Sequence, residues 1–330
     1  MKKVYFATLP NGYFGSAINS WNTLDVKRLA APFLTHNYDV QYISITDIRH
    51  IEFKQNDVLI YTSFEQEEVR AYLKDVLYFV KDQCLLAPSY EILLAHENKG
   101  FQEAVRKEKG IDHLSSEYLF DIDQLDITFP YVFKTVGGSG SSGVELVKSE
   151  SDLGRIKKKQ FGLTTKRKIK NIIRQYQLPK ENYLLYRYYY KPFKRFITQN
   201  FIEDLTCDYR VLVIGERFYA MRRDVREGDF RASGSKKFNY HDVPAIVLDF
   251  AKEIFTKLEN PYISMDLALK DNHVYLIEYQ GTNFGSSALR KSEGYYIENN
   301  NQEWCFIDET SHHEDTLGYG LFTFVEKKHV

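Results

Sequence analysis

The sequence predicts an α/β domain over residues 1–90 and a larger α+β region after it. Three observations support this division. Strand patterns alternate with helical patterns in the first part, which favours an open sheet of parallel strands. A glycine- and serine-rich loop at 137–143 lies between two further strand patterns, and strand patterns dominate from residue 183 onward.

The first 90 residues contain four strand patterns and two helical patterns. The helices are predicted at 22–36 and 68–82, and Pro32 lies inside the first of them, where it can kink the chain. The second carries apolar residues at helical spacing, namely Val69, Leu73, Val76, Leu77 and Val80. The predicted strands are KKVYFAT, YDVQYISI, DVLIYTS and CLLAP.

The rest of the chain is predicted to begin with one helix over 91–110. A hairpin over 129–147 and a basic, partly amphipathic helical segment over 151–176 follow. A helix over 244–258 has Pro244 near its first turn, where proline is tolerated. The last 45 residues are polar and receive no assignment. The predicted strands are YLLYRYYY, FKRFITQNFI, YRVLVIGERFYAMRRD, ISMDLALK and VYLIEYQG.

The stretch FPYVFKTVGGSGSSGVELV contains a G-x-G-x-x-G pattern at Gly138, Gly140 and Gly143. A dinucleotide fingerprint needs a helix after the glycines, but VELVKS alternates with period two. A Walker A loop needs lysine after the last glycine, where this chain has Val144. The pattern therefore predicts a strand, a loop and a returning strand. Backbone N–H groups of such a loop can bind an anion, and a hairpin tip without a ligand is the alternative.

The stretch SMDLALKDNHVYLIEYQGTNFG predicts a second hairpin with its turn at Asn272. The expected pairs are 266 with 278, 267 with 277, and 269 with 275. The expected apolar face consists of Leu267, Leu269, Tyr275 and Ile277. The expected polar face consists of Asp266, Glu278 and Gln280.

Two carboxylates directly opposite each other on a hairpin repel, and a divalent cation can offset the repulsion. Mg²⁺ is commonly held by one or two carboxylates, with phosphate oxygens and water completing its ligands. A solvated acidic edge is the alternative, and a slip of one residue would separate the carboxylates onto opposite faces.

Basic residues suited to phosphate charge occur in three places. Lys99 lies on the helix predicted over 91–110, and Lys134 on the strand that leads into the glycine loop. The segment RRDVREGDFRASGSKK, residues 222–237, contains Arg222, Arg223, Arg226, Arg231, Lys236 and Lys237. These cations suit stabilisation of charge on a transferring phosphoryl group. A basic surface loop is the alternative for this segment. The basic run over 151–176 is interpreted either as a solvated helical face or as a surface for phosphate or acidic substrates.

The composition is that of an ordinary globular protein. It argues against a nucleic-acid-binding protein, a membrane-spanning protein and a secreted protein. The net charge is −1, which does not favour wholesale attraction to nucleic acid or to anionic membranes. No apolar run has the roughly 20 residues of a membrane span, and the N-terminus lacks the pattern of a signal peptide. Three scattered cysteines suit a reducing compartment, so we expect a cytoplasmic protein.

The order of these features resembles the ATP-grasp superfamily over roughly residues 90–290. The region from 198 to 233 is similar to ribosomal-protein glutamate ligases and glutathione synthetases, with Q-x-F-I-E, D-x-R and G-D-F-R motifs in the order of that family. The resemblance implies a pre-ATP-grasp α/β domain over 1–90, a lid subdomain over 91–190 and a C-terminal subdomain with the metal site over 191–330.

The resemblance also implies the activity, an ATP-dependent carboxylate-amine ligase that forms an amide through an acyl phosphate. Small-molecule or peptide carboxylates and amines are the implied substrates, and a homodimer is compatible with the sequence. Arg223 and Arg231 are implied as catalytic residues. The metal, magnesium or alternatively manganese, is implied to bind Asp266, Glu278 and Gln280, although the last position is usually asparagine. The implied ATP-binding residues are Lys99, Lys134, Gly138, Ser139, Gly140, Ser141, Ser142, Gly143, Gln199, Asn200, Phe201, Ile202 and Glu203.

Two other functions share some of these features. A protein kinase has a glycine-loop hairpin and a lysine, but the H-R-D and D-F-G motifs are absent from this sequence. An ATP-grasp kinase of small molecules and a non-catalytic nucleotide sensor remain as alternatives. A sensor would be expected to lose the metal ligands, whereas both carboxylates are present here.

Overall fold

The computed structural model divides the chain into two compact units, Met1–Leu114 with Ile202–Val330, and Ser115–Phe201. The predicted boundaries at 90 and 190 stay a prediction. The structure describes residues 2–15, 19, 21–111, 114–126, 128–138, 143–226, 228–229, 231–232 and 238–329.

The first unit begins with the expected parallel sheet, in the order β2-β1-β3-β4. Both faces of β1 are covered, since Val4 and Phe6 pack in one core cluster with Phe33, while Tyr5 and Ala7 pack in another. The open α/β prediction is confirmed. The elements are β1 (Lys3–Thr8), α1 (Val26–Thr35), β2 (Asp39–Ser44), β3 (Val58–Ile60), α2 (Glu67–Tyr78) and β4 (Leu85–Ala87).

Two helices, α3 (Tyr90–Ala95) and α4 (Lys99–Glu108), replace the single helix predicted over 91–110. The chain breaks because Glu97 adopts a left-handed conformation, with φ of 51°. Asn98 then caps α4, its side chain accepting a hydrogen bond from the Phe101 N–H at 3.2 Å. The single-helix prediction was wrong, and Lys99 is the first residue of a new helix.

The second unit contains an antiparallel sheet in the order β5-β8-β6-β7. Its core includes the stacked rings of Phe133 and Phe196, whose centroids are 5.2 Å apart. The predicted glycine-loop hairpin is present as β6 and β7. The elements are β5 (Ser116–Leu119), β6 (Tyr131–Thr135), β7 (Val144–Val147), α5 (Glu150–Phe161), α6 (Thr165–Gln177), α7 (Lys180–Tyr189) and β8 (Phe196–Asn200).

The stretch YLLYRYYY, predicted as a strand, lies in helix α7. Tyrosine favours strands on average, but tertiary contacts override this weak preference. Tyr183 and Tyr186 are half-buried, and the Arg167 guanidinium of α6 lies 4.2 Å from the ring centroid of Tyr190. Tyr183, Tyr186 and Tyr190, the residue directly after α7, recur at helical spacing, so the helix places them on one side.

The C-terminal part of the first unit is an antiparallel sheet in the order β13-β12-β9-β10-β14-β15, with β11 paired to β10. Several of its elements fall in the last 45 residues, which had no assignment. No described helix combines the length and the apolar character needed to cross a membrane. The elements are β9 (Cys207–Ile214), β10 (Arg217–Asp224), β11 (Phe238–Asn239), α8 (Ala245–Leu258), β12 (Tyr262–Lys270), β13 (His273–Gln280), α9 (Ser287–Lys291), β14 (Tyr295–Glu298), β15 (Trp304–Ile307) and α10 (His313–Lys328).

The hairpin β12–β13 contains an irregularity that the sequence did not predict. Asp266 pairs with Glu278 as expected, but Leu267 pairs with Leu276 because a bulge falls between Asp266 and Leu267. The predicted pairs 267 with 277 and 269 with 275 were wrong. The extra residue in β13 leaves Leu276 fully buried and Ile277 only partly buried, so the core position is 276 and not 277.

The bulge predicts different costs for two adjacent truncations. Leu276→Ala should reduce the free energy of unfolding by about 2–5 kcal/mol, because it empties a buried position. Ile277→Ala should cost about 1 kcal/mol, since its side chain is partly in water already. Urea unfolding followed by circular dichroism measures both. A larger loss for Ile277 would contradict the bulged register.

Candidate functional site

Charged residues form a row across four neighbouring strands of the large sheet. Arg223 on β10 lies opposite Asp208 on β9, and Arg210 on β9 lies opposite Asp266 on β12. Asp266 lies opposite Glu278 on β13. Alternate residues of a strand share a face, so Asp208 and Arg210 belong to the same row.

Arg223 is the centre of this row. Its Nε and Nη2 donate to the two carboxylate oxygens of Asp208 at 2.6 and 2.7 Å, and Nη2 also lies 3.0 Å from Asp266 Oδ2. Arg210 donates to both oxygens of Asp266, at 2.8 and 3.0 Å. The Arg223 residue is only 2% exposed. Its charge is therefore balanced inside the protein, which is a requirement for burying a guanidinium.

Asp266 is ionised in this setting. Burial alone would raise the pKa of its carboxyl, but the charges of Arg210 and Arg223 and their hydrogen bonds outweigh burial and hold the pKa below its usual range. The carboxylate is consequently available as an acceptor at neutral pH.

Glu278 is balanced by a different cation. Lys99 Nζ, at the start of α4, lies 3.3 Å from Glu278 Oε1, and the Gln280 side-chain amide donates to the same oxygen at 3.2 Å. The repulsion between Asp266 and Glu278 is thus relieved by Lys99, Arg210 and Arg223. The repulsion argument from the sequence therefore gives no evidence for a metal.

The donor set nevertheless fits a hard cation. Within the described part of the chain, no group of three or more His, Cys, Asp or Glu side chains is arranged to hold a metal. The predicted set has two carboxylates and an amide instead. A carboxylate has about four acceptor positions, and the two arginines fill three of those on Asp266. One position on Oδ1 remains, and carboxylate and amide oxygens are the ligands that Mg²⁺ prefers.

His96 is a site residue that sequence reasoning missed. Its Nδ1 lies 2.9 Å from the Gln280 Oε1, and its Nε2 is buried with no hydrogen-bond partner in the described part of the chain. Burial lowers the pKa of the imidazole to about 4, so it is neutral at pH 7. The neutral ring donates from Nδ1 to the amide oxygen. No periodic pattern in the sequence marks this position, because His96 lies at the break between α3 and α4.

The second unit brings together two residues that were predicted separately. Lys134 on β6 donates from Nζ to the Gln199 Oε1 on β8 at 2.6 Å, and both side chains are buried. The Gln199 Nε2 is buried without a hydrogen-bond partner among the described residues. An unsatisfied buried amide costs about 1–3 kcal/mol, so this donor is suited to a ligand.

At Gly143, which ends the glycine loop, both the backbone conformation and the available space require glycine. Its φ is 75°, and an added Cβ would lie 2.1 Å from the Thr135 Oγ1. The Thr135 N–H also donates to the Gly143 carbonyl at 3.0 Å, which closes the hairpin. Gly138 also has positive φ, 113°. The loop residues Ser139, Gly140, Ser141 and Ser142 lie outside the described residues.

The remaining predicted residues lie in both units. Gln199, Asn200 and Phe201 belong to the second unit, and Ile202 and Glu203 to the first, so the unit boundary falls within the predicted ATP-binding stretch 199–203. Arg231 donates from Nε and Nη2 to its near neighbour Asp229, at 2.9 and 2.6 Å. The residues that follow the G-D-F-R motif, 233–237, lie outside the described residues.

Sequence comparison places the chain in a family. A family profile described as a RimK-like ATP-grasp domain matches residues 108–281, more than half of the chain. The chain belongs to the RimK-like ATP-grasp family. The resemblance found in the motifs is thereby confirmed. No curated protein matches the sequence.

Solved structures of ATP-grasp proteins share the fold over nearly the whole chain. D-alanine–D-alanine ligase from Bacillus anthracis is 12% identical, with a TM-score of 0.51, and the match covers 100% of this chain and 99% of that one. A RimK domain ATP-grasp protein from Sphaerobacter thermophilus is 10% identical, with a TM-score of 0.52 and 98% of each chain covered. At such identities the likeness shows the fold alone, an N-terminal α/β domain followed by ATP-grasp lobes.

The arginine row predicts a contrast between two adjacent residues. Arg223→Met should destabilise the fold by about 3–5 kcal/mol, because it leaves buried carboxylates without their cation. Arg222→Met is the matched control, since the exposed Arg222 pairs with Asp224 at 3.1 Å and should contribute at most about 1 kcal/mol. Urea unfolding measures both variants, and equal losses would contradict the buried network.

Proposed function

We propose that this chain is an ATP-dependent carboxylate-amine ligase. The observation that carries the proposal is the row of Asp266, Glu278 and Gln280 on adjacent strands of an ATP-grasp domain. In the proposed reaction a carboxylate oxygen takes the γ-phosphoryl group and ADP leaves. The nitrogen of an amine then attacks the acyl carbon, the C–O bond to phosphate breaks, the nitrogen loses a proton and an amide forms.

Asp266, Glu278 and Gln280 are proposed to hold magnesium through their remaining oxygen lone pairs. Magnesium, when bound, would neutralise charge that develops between the β- and γ-phosphates. The buried pair of Lys134 and Gln199 supports nucleotide binding by the second unit, because it offers an ammonium and an unpaired amide N–H.

The two predicted catalytic arginines are proposed to act differently. The Arg223 side chain is 3% exposed and joined to Asp208 and Asp266, so it is suited to positioning a metal ligand. The Arg231 side chain is 30% exposed, so it can exchange Asp229 for a phosphoryl oxygen. Arg231 is therefore the better candidate for stabilising transferring charge.

Glu278→Gln tests the proposed reaction. The change should abolish ADP release from magnesium ATP, measured across a pool of carboxylates and amines with mass detection of amides. It should also slightly destabilise the fold, because it removes the charge that faces Lys99.

Glu298→Gln is the matched control for this variant. Glu298 is 25% exposed against 26% for Glu278, and it also pairs with a lysine of a helix. ADP release should be unchanged in this control. Normal ADP release by the Glu278 variant would refute the proposal, and phosphorylated product without amide would favour the small-molecule kinase.

His96→Ala tests whether the histidine positions Gln280. Loss of the Nδ1–H donor should free the Gln280 amide and raise the magnesium concentration for half-maximal activity by about 10–100-fold. His313→Ala is the control, because His313 is 6% exposed against 4% for His96 and its Nε2 also has no hydrogen-bond partner among the described residues. Equal magnesium dependence in both variants would show that His96 is merely structural.

A further inference from the structure

The segment 164–191, which contains α6 and α7 and is called the basic hairpin here, has an unusual distribution of charge. The whole chain has a net charge of −1, but this segment has eight basic residues and one acidic residue, Glu181. Helix α6 itself has no acidic residue. The basic residues are Lys166, Arg167, Lys168, Lys170, Arg174, Lys180, Arg187 and Lys191.

Helix α6 is packed with its polar side inward. Its half-buried residues are Arg167, Asn171 and Arg174, and it has no buried residue. Its apolar stripe faces solvent at helical spacing, with exposed fractions of 55% for Ile169, 58% for Ile172, 48% for Ile173 and 85% for Tyr176. A surface helix normally turns such a stripe towards the core.

Helix α7 also leaves apolar residues in solvent, although its half-buried residues are aromatic rather than polar. Tyr183 and Tyr186 are half-buried, while no residue of α7 is buried. The exposed apolar residues are Leu184, Leu185, Tyr188 and Tyr189. Two adjacent helices that both leave apolar stripes in water indicate a surface that binds a partner.

Charge and shape restrict the kind of partner. Because α6 has basic and no acidic residues, pairing of two such helices from two copies of the chain would bring like charges together. A peptide helix is usually bound in an apolar groove. Here the apolar residues lie on outward-facing helix surfaces without a buried position, and a flat anionic surface fits them better.

We propose that the basic hairpin binds the surface of membranes that contain anionic phospholipids. Basic amphipathic helices of this kind lie in the plane of the interface, with apolar and aromatic side chains at the level of the headgroups. Lysines and arginines add attraction to negative lipids, which salt weakens. The net charge of the chain, which gave no reason to expect such binding, averages out this local excess.

Flotation of the full chain with vesicles tests the proposal. The protein should float with vesicles of phosphatidylcholine and phosphatidylglycerol, release them as salt rises, and bind phosphatidylcholine vesicles weakly. Lys166→Gln with Lys168→Gln should weaken partition by about tenfold or more. Ile169→Ser, Ile172→Ser and Tyr176→Ser together should weaken it at least as much.

The controls change equally exposed residues on other helices and loops. Trp21→Ser, Leu34→Ser and Tyr78→Ser together match the apolar variant, with exposed fractions of 81%, 53% and 58%. Lys27→Gln with Lys54→Gln matches the charge variant. Circular dichroism and melting temperatures establish that every variant is folded. Failure of the wild type to bind anionic vesicles at low salt, or equal binding by hairpin and control variants, would overturn the proposal. Binding to polyglutamate but not to vesicles would overturn it in favour of an acidic peptide.

Discussion

The burial of Arg223 between Asp208 and Asp266 is the interaction on which the candidate site depends. Each partner comes from a different strand, so the ion pairs join β10, β9 and β12 in a single register. A slip of one residue would point Asp266 into the apolar core of the sheet. The same register places Glu278 and Gln280 on the polar face, next to α4. The strand register that the buried ion pairs require is therefore also the register that the proposed site requires.

The charges in this network are balanced, which restricts how the proposed metal-binding side chains can hold a cation. Three carboxylates, those of Asp208, Asp266 and Glu278, face three cations, those of Lys99, Arg210 and Arg223. A divalent cation added alone would leave two uncompensated positive charges at a partly buried place, which is unfavourable. Nucleotide phosphates would supply the missing negative charge. The proposed site is thus suited to a metal that arrives with ATP rather than to a permanently bound ion.

Sequence patterns predicted the features that repeat along the chain. Alternating strands and helices gave the parallel sheet, and motif order gave the family. Features that depend on single residues or on tertiary contacts were missed. The bulge places Leu276 instead of Ile277 at the buried position. The sequence does not mark it, since both residues are apolar. Helix α7 was predicted as a strand, because tyrosine favours strands on average and the contact with α6 is tertiary.

Gln280, which was predicted as a site residue, and His96, which was missed, are joined by a hydrogen bond. The resemblance implies that Gln280 occupies a position that is usually asparagine, and the glutamine amide is one methylene further from the backbone and has one more rotatable bond. A longer side chain loses more entropy when a ligand fixes it. His96 holds the amide before any ligand binds, and it can do so because the helix predicted over 91–110 breaks at Glu97. The helix break and the glutamine are therefore two parts of one arrangement, in which a neutral, buried imidazole restrains the longer side chain.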